Sequence, residues 1–130
     1  MRHRRAIVRD HLPLEAGYRW LELEAPEIAA AARPGQFVHL RVPALEASAL
    51  RRPFSICDVR GTRLCLLYKE VGRGTAAMAS LREGDAVDLL GPQGNGFPLE
   101  CGGRTPILLG GGYGVAPLYF LARSSRATAC

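Results

Sequence analysis

Apolar and polar residues alternate with the two-residue period of a β-strand in several short stretches up to about residue 90. In Tyr18–Glu24, Leu21 and Leu23 share one face and Glu22 points to the other, which predicts a half-buried strand. Three stretches follow this pattern, and three more are predicted as strands from the turns beside them: Ala6–His11, Tyr18–Glu24 and Gly35–Val42, then Pro53–Val59, Arg63–Val71 and Ala86–Gly91. Short strands with frequent turns favour a mainly β fold, a six-stranded antiparallel Greek-key barrel, over a parallel sheet.

Turn signals separate the predicted strands. Residues 33–35 (RPG) form a turn that opens the third strand, and residues 60–62 (RGT) form a hairpin connection. A short helix is predicted over Thr75–Leu81, with Thr75 as its N-cap. The stretch Pro43–Leu50 is expected to be a surface loop or a single helical turn.

The pattern changes after Gly91. A glycine-rich loop is followed by an apolar strand at Ile107–Leu109, a glycine turn and an apolar helix around Leu118–Leu121, which is typical of the opening of a βαβ unit. The returning strand has barely begun at Cys130, so a truncation within a second domain is expected. The predicted domains are a barrel over residues 1–98 and an incomplete nucleotide-binding α/β domain over residues 99–130.

Composition and charge argue against several classes of function. No apolar run approaches the roughly 18 residues that span a bilayer, and no signal peptide is recognisable, so a cytoplasmic location is expected. The net charge of +5 comes mostly from arginines, and Lys69 is the only lysine. Because these arginines form no single basic block and no aromatic residues interleave with them, nucleic-acid binding is not expected.

Cysteine and histidine spacing indicates no metal site and no catalytic histidine. The cysteines lie far apart, without C-x-x-C or cluster spacing, and are expected to be reduced thiols: Cys57, Cys65, Cys101 and Cys130. The histidines lie singly on a predicted tail, turn and strand: His3, His11 and His39.

The segment Arg51–Ile56 (RRPFSI) carries three different binding groups close together. Arg52 offers a bidentate donor for a phosphate, Phe54 lies on the same face to cover a flat ring, and the Ser55 hydroxyl can bind a ring nitrogen. These are the contacts that a flavin nucleotide needs. The alternative is an edge strand with a proline at its start.

Two glycine turns are candidate phosphate sites. Val71–Thr75 (VGRGT) follows a strand and opens a helix, where free backbone N–H groups bind anions; an ordinary capped turn is the alternative. Gly110–Pro117 (GGGYGVAP) joins an apolar strand to a helix in the manner of a dinucleotide turn, without a strict G-x-G-x-x-G.

Four segments occur in the order found in the ferredoxin–NADP reductase superfamily: RRPFSI, EVGRGTAAM, REGDAVDLLGPQGNGF and LLGGGYGVAPLYFLAR. Within that superfamily, ARPGQFVHLRVP and the LLGPQGNGF loop also resemble the electron transfer subunits of NAD-dependent (class 1B) dihydroorotate dehydrogenases. The resemblance covers nearly the whole chain.

This resemblance implies an FAD-binding barrel domain. It assigns contacts with FAD to Arg52, Pro53, Phe54, Ser55, Leu67, Tyr68, Lys69, Gly74 and Thr75, the last two at the pyrophosphate. It assigns contacts with NAD, in an incomplete site, to Gly111, Gly112 and Gly114. Many reductases have tyrosine where Phe54 stands, so stacking is retained and a phenol hydroxyl is lost.

The resemblance also implies partners. In such subunits electrons pass from the FMN of a catalytic dehydrogenase subunit, in pyrimidine biosynthesis, through a [2Fe–2S] cluster to FAD, and leave as hydride to NAD. The cysteine-rich cluster loop of the family has no counterpart in this sequence. No residue is assigned a catalytic role, because the flavin itself carries the electrons, and the 130-residue chain is not expected to turn over alone.

Two alternatives stay open. One is a relative of ferredoxin or flavodoxin NADP reductases or of hydrogenase-associated reductase subunits, which shares the same site. The other is a barrel that lacks a cofactor and serves in assembly.

Overall fold

The computed structural model describes residues 2–43 and 51–127, the side chains of residues 125–127 aside. Its strands are β1 (Arg2–Pro13), β2 (Tyr18–Glu24), β3 (Phe37–Arg41), β4 (Arg52–Arg60), β5 (Arg63–Lys69) and β6 (Ala86–Gln93). Its helices are α1 (Pro26–Ala31), α2 (Arg73–Met78) and α3 (Val115–Ala127). The predicted loop at Pro43–Leu50 lies outside the described residues, apart from Pro43.

The six strands form a closed antiparallel barrel in the order β1-β2-β5-β4-β3-β6. The predicted mainly β, six-stranded barrel is therefore confirmed. Alternate residues of the strands fill its interior; the fully buried ones include Val8, Leu21, Leu23, Val38, Ile56, Leu64, Leu66, Val87 and Leu89. Each such side chain stabilises the fold by about 1.5–3 kcal/mol relative to exposure.

Two strand predictions change in detail. Glu22 was expected on the outward face of β2, yet it is only 7% exposed because neighbouring side chains cover it outside the barrel. Strand β1 starts at Arg2 and continues to Pro13, so His3 and His11 lie on a strand and not on a tail and a turn. Pairing with both β2 and β6 extends β1 beyond its apolar alternation.

Helix α2 begins two residues earlier than predicted. Gly72 is its N-cap and Thr75 occupies the third helical position, so the prediction of Thr75 as N-cap is wrong. The Thr75 hydroxyl still binds the start of the helix, from inside the first turn, which explains why the sequence signal was displaced. Helix α1 was not predicted; it begins with Pro26 and buries Ile28 and Ala29.

The segment after the barrel agrees with the prediction only in part. Helix α3 contains the predicted apolar stretch, but Ile107–Leu109 forms no strand. Ile107 and Leu109 are 83% and 87% exposed. A strand needs a hydrogen-bonded neighbour, and none of the described strands lies beside this segment.

The structure also bears on the thiols and on membrane insertion. Cys57 and Cys65 are buried and free, as expected, and burial raises the pKa of each thiol to about 12. Cys101 is disulfide-bonded, contrary to the expectation of a reduced thiol, because spacing along a chain does not show which sulfur atoms the fold brings together. Among the described residues, no helix is both long and apolar enough to cross a bilayer.

Candidate functional site

A cleft of about 510 Å³ lies where β4 and β5 meet the start of α2 and the glycine turn before α3. Its volume falls within the range typical of cofactor pockets. Eight of the twelve site residues expected from the sequence line it: Arg52, Pro53, Phe54, Ser55, Leu67, Tyr68, Lys69 and Thr75. Four further residues line it: Phe37, which no sequence pattern indicated, and Val71, Tyr113 and Ala116, which belong to the two candidate glycine turns.

Strand β4 supplies one wall of the cleft. Phe54 is half-buried, and its ring meets the Tyr68 ring edge-on, with centroids 6.1 Å apart and an interplanar angle of 66°. Ser55 is exposed and pairs with Phe37 of β3, which explains how Phe37 reaches the cleft. This wall therefore combines aromatic surface with a free hydroxyl.

The Arg52 side chain crosses the cleft to Gly74 of α2. A Cβ built on Gly74 would lie 1.7 Å from Arg52 Nε, so this approach requires the absence of a side chain at position 74. Arg52 is exposed, and within the described residues no hydrogen bond or ion pair engages its guanidinium. Gly74 does not line the cleft itself; it makes room for the cation that does.

Thr75 organises the turn that leads into α2. Its Oγ1 accepts hydrogen bonds from the N–H groups of Val71 (2.8 Å) and Gly72 (3.0 Å) and donates to the Gly72 carbonyl (3.2 Å). The N–H groups of the first helical turn have no intrahelical acceptor, as at every helix start. They lie beside the Arg52 cation, so both favour an anion at this end of the cleft.

Strand β5, the neighbour of β4 in the barrel, adds Tyr68 and Lys69 to the lining of the cleft. The Leu81 carbonyl accepts a hydrogen bond from His11 Nδ1 (2.9 Å), because a carbonyl oxygen can only accept. His11 Nε2 is then free to accept the Tyr68 hydroxyl proton (2.7 Å). Burial raises the pKa of Tyr68 above its usual range, so this phenol remains a neutral donor. Both ring nitrogens of His11 are therefore hydrogen-bonded.

The glycine turn reaches the cleft through its larger neighbours. Gly112 adopts a positive φ of 58°, and a Cβ there would lie 3.4 Å from the Tyr18 hydroxyl. Gly111 and Gly114 face open space. Tyr113 and Ala116 form the wall, so the three predicted glycines shape the turn without lining the cleft.

The described residues that line the cleft include two cations, Arg52 and Lys69, and no carboxylate. Lys69 Nζ lies 5.4 Å from the centre of the Tyr18 ring. A cleft that combines positive charge with aromatic surface suits a ligand that is both anionic and flat.

No group of three or more His, Cys, Asp or Glu side chains in the described part of the chain is arranged to hold a metal ion. The residues present therefore do not fit a [2Fe–2S] cluster, and no step through a cluster is derived. Buried Cys57 and Cys65, with their raised pKa values, remain protonated and are poor ligands.

Comparison with known proteins identifies relatives of this chain. No family model matches the chain. The dihydroorotate dehydrogenase B (NAD(+)) electron transfer subunit of Bacillus caldolyticus is 43% identical over 126 residues, which cover 94% of this chain and 49% of that subunit. The same subunit of Bacillus cereus (strain B4264) is 49% identical over 94 residues, covering 69% of this chain and 36% of that subunit.

The chain is a homologue of dihydroorotate dehydrogenase B electron transfer subunits. It spans about half the length of the Bacillus caldolyticus relative. A similar fold occurs in the NADH-dependent reduced ferredoxin-NADP oxidoreductase of flavin-based electron bifurcation, with a TM-score of 0.84 and 28% identity over 95% of this chain and 45% of that chain. Phthalate dioxygenase reductase, which transfers electrons from pyridine nucleotides to [2Fe-2S], matches with a TM-score of 0.79 and 26% identity over 98% of this chain and 40% of that chain.

Proposed function

We propose that this chain binds FAD in the cleft and serves as part of an electron transfer subunit of an NAD-linked dihydroorotate dehydrogenase. The observation that carries the proposal is the Arg52 guanidinium, which has no partner among the described residues and lies over Gly74 beside the start of α2, next to aromatic side chains. A pyrophosphate needs more than one anion-binding element, and this end of the cleft offers a cation and a helix start.

Each residue of the cleft has a task in this proposal. Arg52 and the first-turn amides of α2 bind the pyrophosphate, with Thr75 holding the turn in shape. Phe54 lies against the flat ring, and the Ser55 hydroxyl donates to its polar edge. Tyr68, hydrogen-bonded to His11, closes the wall behind the ring and excludes water. Bound FAD supplies the redox chemistry by accepting and donating electrons.

The partners follow from the relatives and are part of the proposal. The matched proteins are electron transfer subunits of an NAD(+) enzyme, so a catalytic dehydrogenase subunit is the expected electron donor and NAD the expected acceptor. That the donor contains FMN is an expectation from the family resemblance alone. The glycine turn at Gly111, Gly112 and Gly114 is the expected contact for NAD. We also expect a cytoplasmic location and a domain boundary near residue 98.

The identity of the cofactor tests the proposal most directly. The chain is reconstituted with a mixture of FAD and FMN, washed, denatured by heat, and the released flavin is identified by chromatography. FAD is the expected product, because the second phosphate of the pyrophosphate adds a contact that FMN cannot make. Recovery of FMN, or of no flavin, contradicts the proposal.

A reductase of the bifurcating ferredoxin-NADP type is a second candidate, favoured by its TM-score of 0.84. The FAD site is common to both functions, so the partner decides between them. Mixing the FAD-loaded natural protein with the catalytic dehydrogenase subunit should give dihydroorotate-dependent reduction of NAD in the first case. Transfer to ferredoxin, without any response to dihydroorotate, favours the second.

A further inference from the structure

Strand β4 carries a buried carboxylate that the proposed flavin site does not use. The Asp58 side chain is only 3% exposed, and its Oδ2 lies 3.1 Å from Arg60 Nε and 3.2 Å from Arg123 Nε. A buried charge is retained only where partners compensate its lost hydration. Arg60 belongs to the same strand as Asp58, whereas Arg123 belongs to α3, so the second contact joins the helix to the barrel.

Helix α3 is held along β4 by one face. Ala116 and Phe120 are buried at 1% and 7% exposure, and Arg123 follows at the spacing that keeps all three on the same side of a helix. From Ala116 to Arg123 the helix rises about 10 Å. Strand β4 covers a similar distance, about 10 Å, from Ser55 in the cleft to Asp58. Helix and strand therefore run side by side from the cleft to the ion pair.

Aromatic and charged neighbours extend this contact. Trp20 of β2 meets Tyr119 of α3 edge-on, with ring centroids 6.3 Å apart, and the Arg60 guanidinium lies 4.9 Å from the Trp20 ring centre. Apolar packing of Phe120 keeps α3 close to the barrel. It constrains the direction of the helix axis only weakly. The ion pair is directional, because Arg123 must reach one oxygen of one carboxylate.

Resting on the proposed FAD site, we infer that Asp58 and Arg123 are positioning residues that set the width of the cofactor cleft through α3. Ala116 at the near end of α3 and Tyr113 in the turn just before it form one wall of the cleft. A rotation of about 10° about Phe120 would move Ala116 by roughly 1 Å and Tyr113 by roughly 2 Å, given the rise of a helix. Without the carboxylate, the guanidinium groups of Arg60 and Arg123 would repel each other and drive such a rotation.

The test compares FAD affinity in three variants of the natural protein: Arg123→Gln, Asp58→Asn and Arg123→Lys. Arg123→Gln leaves the buried Asp58 carboxylate paired with Arg60. This variant therefore still tests the inference if Asp58→Asn fails to fold. Both neutralising changes should weaken FAD binding about threefold to tenfold, measured by flavin fluorescence, and Arg123→Lys should restore most of the loss. The matched control is Arg9→Gln. It removes an ion pair between Arg9 of β1 and Glu24 of β2 (3.7 Å) and should leave FAD affinity unchanged.

A second readout separates positioning from simple stabilisation. In a Tyr113→Ala background, adding Arg123→Gln should cost no further FAD affinity, because the wall that it positions is gone. The emission of Trp20, the only tryptophan, should shift to longer wavelength in Arg123→Gln even without flavin, as the Tyr119 contact loosens.

Additive losses, an unchanged Trp20 spectrum, or a lowered melting temperature with unchanged FAD affinity would each overturn the inference while leaving the proposed function intact. A wild-type protein that binds no FAD would overturn both.

Discussion

The Arg52 side chain lies directly over Gly74, so that a Cβ at position 74 would come within 1.7 Å of Nε and 2.4 Å of Cζ. Two segments separated by more than twenty residues thus meet at one point, one offering a cation and the other the start of a helix. The contact requires glycine for space and not for backbone conformation, since Gly74 has no positive φ. Stability and cofactor binding can therefore be separated at this position.

Gly74→Ala should weaken FAD binding while leaving the fold intact. The added methyl group displaces the flexible end of Arg52 from the phosphate position, whereas alanine within a helix is favoured over glycine by up to about 1 kcal/mol. We expect about a tenfold rise in the dissociation constant with an equal or higher melting temperature. A fall in melting temperature with unchanged affinity would contradict the assigned role of this contact.

Arg52→Ala should weaken FAD binding by about 1.5–3 kcal/mol, roughly tenfold to a hundredfold, through loss of a charge-assisted phosphate contact. Arg51→Ala is the matched control. The Arg51 guanidinium is turned toward His3 Nε2 (3.0 Å) and the Asp88 carbonyl (3.5 Å), and Arg51 does not line the cleft. Fluorescence titration with FAD gives both constants. A larger loss for Arg51→Ala than for Arg52→Ala would reverse the assignment.

Thr75→Val should destabilise the turn before α2. The change keeps the shape of the side chain but leaves the N–H groups of Val71 and Gly72 without the Oγ1 acceptor, at a cost of about 1–3 kcal/mol. Urea denaturation measures this loss, and FAD affinity should fall with it because the phosphate turn loosens. Thr75→Ser retains the hydroxyl and should remain within about 1 kcal/mol of the wild type. Equal behaviour of the two variants would exclude a role for the hydroxyl.

Acid should weaken the fold through Glu22. Burial alone would raise the pKa of this carboxyl, but hydrogen bonds from Trp20 and Arg63 and the charges of Arg60 and Arg63 lower it below its ordinary value of 4.5. Just below about pH 4.5, Glu22 is protonated in the unfolded chain but still ionised in the folded chain. The contribution of Glu22 to stability is therefore complete above this range, and the free energy of unfolding falls as the pH drops through it.

Urea titrations across this pH range, followed by Trp20 fluorescence, check the prediction. Glu22→Gln should be less stable at neutral pH, because it breaks the contact with Arg63 (3.1 Å), and its stability should change less with acid. A variant with the same acid dependence as the wild type would show that other carboxylates cause the loss.

The sequence by itself determined the barrel and most of one wall of the cleft. Apolar patterning and turn residues are local properties, so the strands around Leu21, Val38 and Leu64 could be predicted without knowing their neighbours. The same holds for Arg52, Phe54 and Ser55, which lie close together along β4 and reach the cleft on one strand. Their role in binding FAD stays a prediction.

Only the tertiary structure decided what closes the cleft and what holds it. Phe37 reaches the site through pairing with Ser55, Tyr113 through the turn before α3, and Asp58 meets Arg123 across the outside of the barrel. Ile107–Leu109 shows the converse, since a strand-like sequence forms no strand without a partner beside it. All of these contacts, and the missing strand, have one physical reason. They depend on which distant segments the closed barrel brings together, and a local pattern of side chains does not determine that.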